Sequence, residues 1–159
     1  MRTAVKRKFD FRAFAFFEIL TLGAGLLSGF LSGISGFEGL TKPPLTPPAF
    51  VFPLVWTILY ALMAFAAYLV YNTDDLDRGA PLRMYLLQLL VNVLWPVFFF
   101  RLEWRLFSFF WLLLLIALVT LTMVGFKSIR PAAYYLMIPY LLWCLFATYL
   151  NLAFYLLNR

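Results

Sequence analysis

The sequence predicts an all-α membrane protein, a single domain over residues 1–159 built as a five-transmembrane-helix bundle. Three observations carry that expectation. Of 159 residues, 65% are hydrophobic and only 13% charged, with a mean hydropathy of +0.91. A soluble domain keeps roughly a quarter of its residues charged because its surface faces water. Apolar runs recur five times, each near the ~20 residues that a helical span needs. The connections are short, so backbone groups in lipid have to be satisfied within helices packed against one another.

The first span is read from Ala13 to Ser35. Gly25, Gly29 and Gly33 stand four apart on it, with Ser28 and Ser32 alongside. Small residues at that spacing let helix backbones approach closely, either within one bundle or between two copies. Glu18 is the one carboxylate inside a predicted span. An acid there is a candidate for function, or it reaches the interface and pairs with Arg12. A proline- and glycine-rich loop, 36–47, follows; its prolines remove donors and restrict the residues before them. The second span is read from Pro48 to Tyr71, with Pro47 and Pro48 suited to a first turn. The third runs from Pro81 to Phe100, the fourth from Leu106 to Phe126 and the fifth from Ala132 to Leu157. Between the second and third, Asp74, Asp75 and Asp77 read as a solvated loop.

Charge placement sets orientation. Nine of the thirteen Lys and Arg residues fall on the amino-terminal side (Arg2, Lys6, Arg7, Lys8, Arg12, Arg78, Arg83, Lys127, Arg130). Lys42, Arg101, Arg105 and Arg159 fall on the other. The positive-inside rule then puts the amino terminus in the cytoplasm of a bacterial cell membrane. The first apolar run is too long for a cleavable signal and is expected to stay as a span. The net charge of +6 is explained by this asymmetry, and no nucleic-acid partner is expected. There is no histidine and a single cysteine, Cys144, so no intrachain disulfide, ordinary zinc site or imidazole-held haem is expected. Nothing resembles a histidine base, paired carboxylates or a phosphate loop, so conventional acid–base catalysis is not expected.

Polar groups converge at one level of the bundle. On the third span Gln88 and Asn92 are four apart, and Trp95 and Phe99 continue their face. Asn92 lies ~12 Å below the span's outer end. Phe52, Trp56 and Tyr60 form a stripe on the second span, and Trp143, Ala147 and Asn151 another on the fifth. Amides at that depth have to face the bundle or a cavity. Trp56 and Trp143 are too deep for the interfacial belt, which Trp104 and Trp111 fit better. Pro53 and Pro139, three and four residues before the two deep tryptophans, are expected to loosen their helices and free carbonyls. The two readings are a packed core and an aromatic, uncharged pocket under the proline-rich loop. Such a pocket suits a flat apolar ligand.

Several segments resemble the translocator protein family, the tryptophan-rich sensory proteins or peripheral benzodiazepine receptors. They are Lys42-Pro43-Pro44-Leu45-Thr46-Pro47-Pro48 with Val51-Phe52-Pro53-Leu54-Val55-Trp56-Thr57-Ile58-Leu59-Tyr60, then Gln88-x3-Asn92-x2-Trp95-Pro96 with Phe98-Phe99. The last is Pro139-Tyr140-Leu141-Leu142-Trp143 with Phe146-Ala147-Thr148-x-Leu150-Asn151. The resemblance implies a five-helix bundle, often a homodimer, that binds porphyrins, sterols and synthetic benzodiazepine-type ligands. It implies pocket residues at Trp56, Asn92, Trp143, Ala147 and Leu150. It also implies protoporphyrin IX as ligand, no obligatory cofactor, and light- and oxygen-dependent porphyrin breakdown with Trp56 and Trp143 as the reacting indoles. Transport of porphyrin, haem or sterol, and a scaffold that regulates a partner protein, are the alternative roles.

The chain departs from the family pattern at Gly36 and Phe37, where a Trp-Tyr pair is usual, and at Leu45, where a tryptophan is common. Trp111 stands where an acid is common near the start of the fourth helix, and Phe107 where a tryptophan is common one turn earlier. These changes remove polar handles from the loop side of the expected pocket. Leu152-x2-Tyr155-x3-Arg159 matches a sterol-recognition pattern, and both terminal residues also read as plain interface anchors.

Overall fold

The computed structural model describes residues 5–6, 8–33 and 39–159. Five helices are long and apolar enough to cross a membrane. They are α1 (Phe11–Ser32), α2 (Val51–Tyr71), α3 (Gly79–Pro96), α4 (Arg105–Ile129) and α5 (Pro131–Leu157). Around the bundle their order is α1, α2, α5, α4, α3, with α3 closing back on α1. That ring puts the inward faces of α2, α3 and α5 opposite one another.

Local chemistry explains each boundary. Asp10 caps α1, its carboxylate accepting from the amides of Arg12 (3.0 Å) and Ala13 (3.1 Å). Helix α1 therefore starts two residues before the expected Ala13. It ends at Ser32, where Gly33 takes φ +80°, a left-handed conformation that only glycine adopts freely. The expected end at Ser35 lies outside the described residues.

Helix α2 starts at Val51, three residues later than expected, because the Val51 amide donates to Pro48 O (3.0 Å) in a preceding turn. Pro47 and Pro48 are thus loop residues. Pro53 falls in the first turn of α2, where an amide has no partner to lose, so it does not loosen the helix.

Helix α3 was expected to reach Phe100. Its α-helical ladder instead stops at Pro96, and a π-helical turn spans Val97–Arg101. Proline supplies no N–H, and the ladder reopens one residue wider, with Leu102 N donating to Val97 O (2.9 Å). Helices α4 and α5 are joined by Arg130 alone, extended at φ −147°, ψ 97° as a residue before proline prefers, with Pro131 at the start of α5. Helix α5 runs unbroken through Pro139.

At the amino-terminal end a short antiparallel pair forms between β1 (Val5–Lys6) and β2 (Thr73–Asp74). The acidic loop has more structure than a solvated stretch: Asp75 accepts from the amide of Asp77, and Arg78 donates to the carbonyls of Tyr71 and Thr73. Glu18 is half-buried on α1, and no ion pair joins it to Arg12 among the described residues.

The small-residue stripe on α1 divides. A Cβ on Gly25 would lie 2.5 Å from the Tyr60 ring of α2, so this glycine is needed for close packing inside the bundle. Ser28 Oγ donates to Val93 O of α3 at 3.0 Å. Among the described residues, a Cβ on Gly29 or Gly33 would have no neighbour within 4 Å.

Candidate ligand site beneath the proline-rich loop

The polar residues of the three inner stripes meet in one hydrogen-bonded chain. The Tyr60 hydroxyl on α2 donates to Asn92 Oδ1 on α3 at 2.5 Å. Asn92 Nδ2 donates to the Tyr140 hydroxyl on α5 (2.8 Å), which donates to Gln88 Oε1 (2.9 Å). All four residues are buried. In lipid such groups have no water to turn to, so the chain removes most of their desolvation cost. It ends on Gln88 Nε2, a buried donor with no partner among the described residues.

Trp56 lies over this chain. Its ring stacks on Tyr60 at 5.5 Å between centroids and stands 6.4 Å from Trp95 and 6.2 Å from Tyr140. Trp95 continues the aromatic wall to Phe99 at 5.8 Å. Between the adjoining helices α5 and α2, Trp143 meets Phe52 at 6.0 Å. Trp56 and Trp143 remain half-buried, and the Trp143 Nε1–H is a second buried donor without a partner among the described residues. Ala147 and Leu150 are buried on α5 within the core.

Asn151 forms a separate junction. Its Oδ1 accepts from Trp95 Nε1 (3.0 Å) and Ser108 Oγ (2.8 Å), while its Nδ2 donates to Arg105 O (2.7 Å). One amide thereby fixes the start of α4 to the aromatic wall. The loop above is held from α5: Asn158 Oδ1 accepts from the Thr41 amide (2.8 Å), and its Nδ2 donates to Thr41 O (3.0 Å). Tyr149 donates to Pro44 O at 3.0 Å.

The structure thus groups Trp56, Tyr60, Gln88, Asn92 and Trp95, sets Phe52 with Trp143, and ties Asn151 to the opposite side of Trp95. Aromatic rings crowd the level at which the sequence suggested a pocket. Two clefts open elsewhere. One, of about 280 Å³, lies between Glu103–Phe107 and the end of α5, lined by Tyr155 and Arg159 among others. The other, of about 330 Å³, lies by Asp10, Arg12 and Tyr71 at the opposite end. Tyr140 and Ser108 belong to the site although the sequence reading did not select them. Tyr140 was visible in principle, since Tyr140, Trp143, Ala147 and Asn151 follow one helix face at spacings of three and four.

The TspO/MBR family pattern matches residues 17–156, nearly the whole chain. The chain is 36% identical to the tryptophan-rich protein TspO of Chlorobaculum tepidum over 126 residues, 77% of this chain and 78% of that one. It is 33% identical to the TspO of Archaeoglobus fulgidus over 152 residues, 89% and 99% of the two chains. It is 35% identical to the human translocator protein over 125 residues, 75% and 72%.

The chain belongs to the TspO/MBR family. It is therefore an integral membrane protein of the TspO type. Its departures from the TspO pattern have structural counterparts. Leu45 is exposed and takes a left-handed φ of 66° in the loop. Trp111 donates to Val91 O (2.8 Å) and meets Phe98 and Phe107 at 4.9 and 5.8 Å. That indole pins α4 to α3 where a carboxylate is usual. Gly36 and Phe37 lie outside the described residues.

Proposed function

We propose that this protein is a membrane receptor for protoporphyrin IX and related flat apolar ligands. The carrying observation is the Trp56 ring lying against Tyr60, Trp95 and Tyr140 over a buried amide–phenol chain. Opposed aromatic faces hold a flat ring by stacking, and the uncharged lining at Phe52, Trp56, Tyr60, Gln88, Asn92, Trp95 and Trp143 imposes no desolvated charge on it. Entry of a macrocycle requires Trp56 to swing away from Tyr60 and Trp95.

Light-driven degradation follows from the same placement. An excited porphyrin held there passes energy to dioxygen beside it, and Trp56 and Trp143 are the oxidisable indoles that react within the site and carry the breakdown forward. The amino terminus is assigned to the cytoplasmic side of a bacterial cell membrane by the excess of basic residues there. A homodimer through the outward face of α1 belongs to the same reading, because a Cβ on Gly29 would meet no described residue within 4 Å there.

Titration of the purified protein with protoporphyrin IX in the dark, followed by tryptophan fluorescence and then by absorbance under light, tests the proposal. Saturable quenching with porphyrin bleaching, both reduced in the Trp56→Phe, Trp143→Phe double variant, is the expected result. Saturable quenching without bleaching leaves a receptor without photochemistry. Absence of saturable quenching sinks the receptor reading and favours a scaffold.

A further inference from the structure

Charge gathers in the cleft of about 280 Å³ between the start of α4 and the end of α5, which the aromatic site does not use. Arg105, Arg159 and Glu103 line it, together with the aromatic residues Trp104, Phe107 and Tyr155. The Arg105 side chain is only 17% exposed. Among the described residues its one ion pair is with Glu103, at 3.3 Å, a side chain that is itself 66% exposed. The Arg105 Nε–H is buried without a partner among the described residues. A covered guanidinium facing one solvent-screened carboxylate is short of acceptors.

The rest of the cleft adds donors rather than acceptors. Arg159 has no ion pair among the described residues. No side chain caps α4, so its first amides are further donors at the same place. The Asn158 oxygen, which could compete, is taken by the Thr41 amide. Among the side chains, two guanidinium groups less one carboxylate leave one positive charge. The cleft also lies where two spans end, beside Trp104 and Tyr155, residue types that collect at the level of lipid headgroups.

We infer that this cleft is a phosphate site that holds the headgroup of an anionic phospholipid, with Arg105 and Arg159 on the phosphodiester and Trp104 and Phe107 beside the start of its acyl chains. The inference is independent of the receptor reading above. A guanidinium fork pairs two phosphate oxygens at once, and basic pockets at span ends suit such headgroups. A zwitterionic headgroup brings an ammonium toward the same two arginines. A sterol, which the Leu152-x2-Tyr155-x3-Arg159 pattern would otherwise suggest, brings a hydroxyl and nothing to offset the second guanidinium.

Native mass spectrometry of the purified protein released from detergent, titrated with dioleoyl phosphatidylglycerol, dioleoyl phosphatidylcholine or glycerol 3-phosphate, gives the affinity for the first bound molecule. The wild type should take phosphatidylglycerol about fivefold more tightly than phosphatidylcholine, and glycerol 3-phosphate more weakly than either. Arg159→Gln and Arg105→Gln should each weaken phosphatidylglycerol about fivefold. Glu103→Gln removes the competing carboxylate and should strengthen it about threefold. Arg83→Gln, an equal change of net charge on α3 at the opposite end of the bundle, should leave it unchanged.

A wild type that does not prefer phosphatidylglycerol overturns the inference. So does Arg83→Gln weakening binding as far as Arg159→Gln, since net charge alone would then be at work. Glycerol 3-phosphate binding as tightly as the lipid would make this a site for free phosphate esters and overturn the lipid assignment. Should Arg105→Gln fail to fold, the opposite shifts expected at the exposed residues Glu103 and Arg159 still decide the matter.

Discussion

Asn92 holds two tyrosines together. Its oxygen accepts from Tyr60 and its nitrogen donates to Tyr140. Replacing it with leucine keeps the volume but leaves both hydroxyls without this partner in a dry environment. Asn92→Leu is expected to destabilise the protein by roughly 2–4 kcal/mol, read as an earlier thermal unfolding midpoint in detergent. A midpoint equal to that of the wild type would show that the chain contributes nothing net. Gly25 carries the complementary steric term. Gly25→Ala places a methyl group against the Tyr60 ring, at an expected cost of about 1–3 kcal/mol, whereas Gly29→Ala meets no neighbour and should stay within about 0.5 kcal/mol. Equal effects at the two glycines would remove the argument that the stripe divides.

At the scale of elements, the loop is attached to α5 more firmly than its sequence suggests. The Asn158 side chain makes two complementary bonds with the Thr41 backbone, as a neighbouring β-strand would. Asn158→Ala should therefore speed hydrogen exchange at the Thr41 amide by about tenfold or more while exchange in mid-α4 stays the same. No change at Thr41 would show that the clamp does not persist in solution.

This attachment was not legible beforehand, because it joins residues 117 apart and involves an ordinary asparagine at a helix end. The five spans were legible, since each is an apolar run of the length that a bilayer dictates. Their ends shifted where a cap or a proline acts: Asp10 advances α1, the Pro48 turn delays α2, and Pro96 converts the end of α3 to a π turn. The π turn also changes the angular spacing of Phe98, Phe99 and Phe100, so a periodicity of 3.6 cannot assign their faces.

At the scale of the whole molecule, the ring order of helices places α2, α3 and α5 around one aromatic centre, and the TspO/MBR match over residues 17–156 covers all five helices. The helix stripes were enough to bring Trp56 and Asn92 to a similar depth, since depth follows from rise per residue. They could not show which amide atoms would be consumed, because that depends on contacts among three helices.

The central claim is that a tetrapyrrole sits inside this bundle rather than in the surrounding lipid. Brief irradiation of the protein with protoporphyrin IX in oxygenated proteoliposomes, with mass-spectrometric mapping of indoles that gain two oxygen atoms, tests it most directly. The account predicts early oxidation of Trp56 and Trp143, with Trp104, 54% exposed at the start of α4, lagging well behind. Trp104 oxidised first, or all five tryptophans oxidised in order of exposure, would place the porphyrin in the lipid and contradict the account.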